Sequence, residues 1–141
     1  MLISLRALRF ALLFFVFALS EGFAQQIPQG YIGSWKQTSG GTLVFEDRGG
    51  GVIVAWVTQA DGSPGLSYAL KYDGKEYPAA TPSATGRRTI SSRLIDAYTT
   101  EYTLKTDGRV TGMGTRTVSQ DGKTLTIKNP AGKVTIVWTK Q

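Results

Sequence analysis

Residues 116–138 read RTVSQDGKTLTIKNPAGKVTIVW, and two turn signals divide this stretch into three short segments in which apolar residues alternate with polar ones. Asp121-Gly122 predicts a tight hairpin, because both residues tolerate positive φ. A two-residue loop there opposes Val118 to Leu125 and Arg116 to Ile127. Asn129-Pro130-Ala131-Gly132 predicts a four-residue loop around a type I turn, which opposes Ile127 to Val134 and Leu125 to Ile136, with Trp138 joining the same face. The alternation therefore puts Leu125, Ile127, Val134, Ile136 and Trp138 on one side of a three-stranded antiparallel meander. Arg116 is a single charge on that same side.

Similar hairpins recur upstream. Asp-Gly also occurs at Asp61, Asp73 and Asp107, between runs rich in Thr, Val, Ile and Tyr, and no stretch after residue 24 keeps a helical apolar period. At Asp107-Gly108 a two-residue loop sets Leu104 against Thr111, which breaks the inner face. A three-residue loop Thr106-Asp107-Gly108 with a glycine bulge opposes Leu104 to Val110, Tyr102 to Gly112 and Thr100 to Gly114, and brings Tyr98 beside Arg116. The turn at Asp73-Gly74 pairs Leu70 with Tyr77 and makes Lys71 and Glu76 a solvent-side charge pair. A loop from Asp47 to Gly50 pairs Phe45 with Val52 and Leu43 with Val54, and Trp56 continues that face. Ile32 to Thr38 and Thr89 to Ile95 supply two more strands, while the turn at Asp96-Ala97 leaves the facing of Arg93 open. The sum is about eight to ten short strands in simple order. The fold expected is all-β, a single antiparallel up-and-down barrel, because closure removes the exposed edges of so long a meander. A two-sheet sandwich is the rival arrangement.

The first 24 residues have another character. Arg6 and Arg9 give a basic start, Phe10 to Leu19 are almost wholly apolar, and Gly22-Phe23-Ala24 is a small-x-small cleavage site, so residues 1–24 read as a secretory signal peptide and residues 25–141 as the barrel domain. The apolar run is shorter than the roughly 20 residues of a membrane span, so no membrane insertion is expected after cleavage. The expected location is periplasmic or secreted. The chain carries a formal charge of +6, spread so widely that only Arg87-Arg88 are adjacent, and this argues against a clustered nucleic-acid-binding face.

Cysteine and histidine are both absent, which excludes disulfide staples, Ser-His-Asp and Cys-His catalysis and the usual zinc ligand sets. Asn129 precedes Pro130, so there is no glycosylation acceptor. Asp96 and Glu101 are the carboxylates nearest the aromatic strands. Asp96 falls in a turn and Glu101 points outward, so no nucleophile and base pair can be placed. The expectation is a non-enzyme without cofactor or metal.

Gly33-Ser34-Trp35, preceded by Tyr31-Ile32, resembles the glycine-x-tryptophan signature that opens lipocalins and fatty-acid-binding proteins. The resemblance implies a tryptophan that closes one end of a barrel and a last strand, Ile136 to Lys140, that returns beside the first. The blocks Lys71 to Pro78 and Arg116 to Thr126 are similar to those of small exported bacterial lipocalin-like, or calycin-like, β-barrel proteins. That likeness implies fold and export and brings no catalytic residue or ligand with it. Two features depart from fatty-acid-binding proteins. No room for a helical lid exists between the first strand and Leu43, and the position of that family's carboxylate-binding Arg-x-Tyr holds Ile136-Val137-Trp138. A bound acid would need another cation, and Arg116 is the inward candidate.

Trp56, Tyr68, Tyr98, Tyr102 and Arg116 therefore form the expected ligand-binding set, aromatic walls around one charge, for a small apolar or amphipathic, lipophilic ligand. A barrel of this size is also often filled by its own side chains. In that case the protein would act through its loops, Gln59 to Gly65 and Ala79 to Arg88, as an envelope protein-interaction or hydrolase-inhibitor module with a protein partner.

Overall fold

The alternating segments resolve, in a computed structural model that describes residues 26–141, into ten strands. They are β1 (Gly33–Gln37), β2 (Thr42–Asp47), β3 (Ile53–Thr58), β4 (Pro64–Leu70), β5 (Asp73–Ala80), β6 (Arg88–Asp96), β7 (Thr99–Thr106), β8 (Arg109–Val118), β9 (Thr124–Lys128) and β10 (Val134–Lys140). The expected leader lies outside the described residues. Each strand pairs antiparallel with its chain neighbours, and β10 pairs with β1 through Trp35↔Lys140, Lys36↔Thr139 and Gln37↔Trp138. The sheet is thus the closed up-and-down barrel expected from the turns, and closure leaves no strand edge unpaired.

The register agrees with the sequence reading in some hairpins and departs from it in others, and each departure has a local cause. β8 and β9 pair as expected, with Val118↔Leu125 and Arg116↔Ile127. Between β9 and β10 the connection is one residue longer than expected, so that Val134 meets Lys128, and Thr135 adds a bulge; together they move the pairing by two residues, to Ile136↔Ile127 and Trp138↔Leu125. Ile136 and Trp138 stay inside, but Val134 is turned out, 48% exposed, and leaves the expected inner face. At Asp107-Gly108 the two-residue turn forms after all, with positive φ at both positions (50° and 78°). The extra residue sits instead at Thr111 of β8, so Leu104 faces Gly112, Tyr102 faces Gly114, and Thr100 rather than Tyr98 lies opposite Arg116.

The largest correction is between β2 and β3. Three successive glycines, Gly49 to Gly51, adopt φ of 82°, 61° and 79°, and Arg48 N–H closes the loop onto Val52 O at 2.9 Å. The loop takes up five residues rather than four, and an odd difference flips every following side chain to the other face. Phe45 pairs with Ala55 and Leu43 with Val57, while Trp56 pairs with outward-facing Val44. Ile95 is a further extra residue between Leu94↔Thr100 and Asp96↔Thr99. Once it is counted, Arg93 faces outward and meets Glu101 at 3.2 Å. The Asp73-Gly74 hairpin keeps its expected register at Tyr68↔Ala79, but its ladder opens beyond that point. Lys71 and Glu76 do not pair there, and the Glu76 carboxylate is held by Lys105 and Thr89.

The two ends of the barrel differ. At one end residues 26–31 cross the opening, tied by Gln29 N–H to Ala97 O at 2.8 Å, with Ile27 against the core. Tyr31 enters the interior, fully buried, its ring 5.6 Å from that of Phe45 and 6.4 Å from that of Tyr72. Trp35 closes the same end: its Nε1–H donates to Tyr31 O at 2.9 Å, and Lys140 Nζ lies 4.5 Å from the indole while donating to Gly30 O and Ile32 O. Ile53, Leu70, Val118 and Leu125, near the strand ends on this side, pack in the same buried core. Each such side chain contributes about 1.5–3 kcal/mol by leaving water.

β8 carries two glycines on its inner face, and they are not equivalent. A Cβ on Gly114 would run into the carbonyl oxygen of Lys128, whereas one on Gly112 would meet nothing closer than Leu104 Cδ1 at 3.5 Å. Gly114→Ala is therefore expected to cost about 1–3 kcal/mol in urea unfolding and Gly112→Ala less than about 1 kcal/mol, and equal costs would contradict this packing.

Candidate ligand-binding site

Three of the five expected site residues come together. Tyr68 projects inward from β4, Tyr102 from β7 and Arg116 from β8. Arg116 Nη1 donates to Tyr68 Oη at 2.6 Å, and the guanidinium carbon lies 4.4 Å from the centre of the Tyr102 ring and 5.8 Å from that of Tyr68. The glycines at 112 and 114 leave the inner face of β8 bare beside Arg116, which is where Tyr102 and Leu104 lie across it. The strand is fixed from the packed side, because Tyr31 Oη donates to the backbone carbonyl of Arg116 at 2.6 Å and lies 3.2 Å from Thr100 Oγ1.

Two expected members stand elsewhere. Trp56 is on the outer face, put there by the five-residue glycine loop before β3. Tyr98 sits half-buried in the β6–β7 turn, where its carbonyl accepts from Val118 N–H, because the bulge in β8 moved Arg116 opposite Thr100. Sequence reasoning missed Tyr31 and Tyr72. The i, i+2, i+4 spacing of Tyr68, Leu70 and Tyr72 was the available signal for Tyr72.

The opposite end of the barrel is not filled. A cavity of about 340 Å³ opens there, with Arg116, Tyr68 and Tyr102 among its lining residues together with Leu43, Val57, Leu66, Leu104, Ile127, Ile136 and Trp138. Neutral polar residues also line it, Gln37, Ser39, Thr58 and Gln59, from the β1–β2 and β3–β4 connections.

Arg116 is the one charged side chain buried among the described residues, at 7% exposure. The three ion pairs found among those residues, Arg48–Glu46, Arg93–Glu101 and Lys105–Glu76, are all at the surface, and none reaches it. Burial disfavours its charge, but the surrounding phenols of Tyr68, Tyr72, Tyr102 and Tyr31 favour it, and the net displacement is upward, so the guanidinium stays protonated. The same burial pushes Tyr72 well above the ordinary phenol range and Tyr31 up to about 12, against the opposing pull of Thr100 and Arg116. Two buried polar atoms here have no partner among the described residues, Tyr72 Oη and Trp138 Nε1. No group of three acidic side chains among those residues is placed to hold a metal.

No protein-family model matches the chain, and no curated protein matches it.

A phenol whose folded pKa lies above its unfolded value contributes stability that is complete below pH 10 and is lost as pH rises towards 12. For Tyr31 the difference between 10.0 and about 12 corresponds to roughly 3 kcal/mol. The free energy of unfolding is expected to fall from pH 10 upward, and less steeply in Tyr31→Phe. Parallel slopes in denaturant titrations of the two proteins would overturn this account.

Proposed function

We propose that this chain is an exported, lipocalin-like binding protein, a carrier or sensor that holds a small amphipathic molecule in the open end of its barrel. The observation that carries the reading is the asymmetry of the interior. One end is packed solid around Tyr31 and Trp35, and the other keeps a mostly apolar cavity of about 340 Å³ with a buried charge in its wall. A barrel serving only as a scaffold for its loops has no need of that space. Such a volume lies at the small end of the range for ligand sites, and apolar walls with a few placed polar groups are their usual composition. The resemblance of Gly33-Ser34-Trp35 to the lipocalin signature, and the leader-like first 24 residues, support the class and the exported location. Binding rather than catalysis is also favoured by the two candidate carboxylates. Asp96 caps Tyr98 N–H at 2.9 Å, and Glu101 is held outside by Arg93.

A small neutral fluorophore whose emission responds to polarity, such as 1-naphthylamine, tests the reading. Wild-type protein is expected to bind it with blue-shifted emission. Leu104→Trp, which fills the cavity, and Ala60→Trp, which narrows it, are each expected to weaken binding about tenfold or more. Val137→Trp, on the outer face, is expected to leave it unchanged. Binding that ignores the two cavity variants would refute the proposal.

A further inference from the structure

We infer that the ligand is a small monocarboxylate that enters head first, its acid group on Arg116 and its apolar part towards the mouth. The inference rests on the cavity being a ligand site and adds the charge, orientation and size of what fills it.

Arg116 carries a charge that no acidic side chain among the described residues balances. A buried guanidinium costs several kcal/mol of lost hydration and is ordinarily matched by a carboxylate. Around Arg116 there is none among the described residues, only the Tyr68 hydroxyl and two aromatic faces. A guanidinium has five N–H donors, and the one hydrogen bond found for this one is that to Tyr68. The neighbouring polar groups do not make up the deficit. Tyr68 Oη already accepts from Arg116, which leaves its own proton to donate, and Trp138 can only donate. The unpartnered Tyr72 Oη brings a donor as well as an acceptor, so the donors of this side-chain group outnumber its acceptors. A carboxylate is the complement: it brings one negative charge, about four acceptor sites and no donor.

The same inventory sets orientation and size. Among the described residues Arg116 is the only charged one lining the cavity, and the other polar side chains there, Gln37, Ser39, Thr58, Gln59, Tyr68 and Tyr102, are uncharged. An anionic head is therefore held at Arg116, with the apolar remainder against Leu43, Val57 and Leu104. One guanidinium balances one charge, so a dianion would bury a second charge without a partner. About 340 Å³, at a water's share of roughly 30 Å³ per heavy atom, holds on the order of ten non-hydrogen atoms. That is the size of an eight-carbon acid.

The test displaces 1-naphthylamine at neutral pH with octanoate, octanol, octylamine and octyl phosphate, all of one chain length. Octanoate is expected to bind about tenfold tighter than octanol and octylamine, and tighter than octyl phosphate. In Arg116→Gln the octanoate-to-octanol affinity ratio is expected to fall to about one. If that variant does not fold, the wild-type series decides by itself. Equal binding of octanoate and octanol to the wild type would overturn the charge assignment while leaving the cavity as a ligand site. Tighter binding of octyl phosphate would overturn the single-charge claim. If the probe itself ignores Leu104→Trp, the reading of the cavity fails and the inference falls with it.

Discussion

Arg116 brings a full positive charge into the interior of a closed barrel and meets there a hydroxyl and two aromatic faces in place of a carboxylate. A cation–π contact is worth about 2 kcal/mol when desolvated and a hydrogen bond to a charged group about 1.5–3 kcal/mol, which together fall short of a guanidinium's hydration. The remaining deficit has to be carried by the rest of the fold. Tyr31 pins the backbone carbonyl of Arg116 from the packed end, and Tyr68 and Tyr102 hold the head group from β4 and β7. Tyr102 comes from the neighbouring strand, but Tyr68 reaches Arg116 from β4 across the interior, so the guanidinium gains its hydrogen bond only when the sheet curls round.

The packed end supplies the stability that makes this affordable. Trp35, Tyr31 and Lys140 interlock the start of β1 with the end of β10, so the residues that complete the barrel's closure also seal its base. The open end is built on a different plan. Gly112 and Gly114 keep the inner face of β8 free of side chains: Leu104 lies against the first, and the second lets the backbone carbonyl of Lys128 and the Tyr102 hydroxyl approach closely. Dense packing is in this way confined to one end, which lets the open end remain underpacked without loosening the whole.

Bulges account for most of the difference between the face assignments expected from the sequence and those observed. Thr111, Thr135 and Ile95 each add a residue to one strand of a ladder. Where the extra residue offset a misjudged loop, as at Asp107-Gly108, the face of Tyr102 and Arg116 came out correctly although their partners were wrong. Where no compensation occurred, as after Gly49 to Gly51, the whole of β3 was inverted and Trp56 was placed inside when it lies outside. Loop length at a triple glycine is decided by backbone torsions that the residue type leaves free, because glycine reaches positive φ at no steric cost.

Turn chemistry and alternation were enough, without any tertiary information, to give an all-β chain of consecutive hairpins, the β8–β9 register and the inward facing of Arg116, Tyr68 and Tyr102, and to favour closure into a barrel over a two-sheet sandwich. These are consequences of local rules: positive φ at Asp-Gly, and a side-chain period of two. Only the tertiary structure decided that Tyr31 and Tyr72 belong to the same interior, that Trp56 and Tyr98 do not, and that one end of the barrel is filled while the other holds a cavity. Those outcomes depend on the summed stagger of ten strands around a closed circuit, in which each single-residue bulge changes what every later side chain faces, and no local pattern carries that sum.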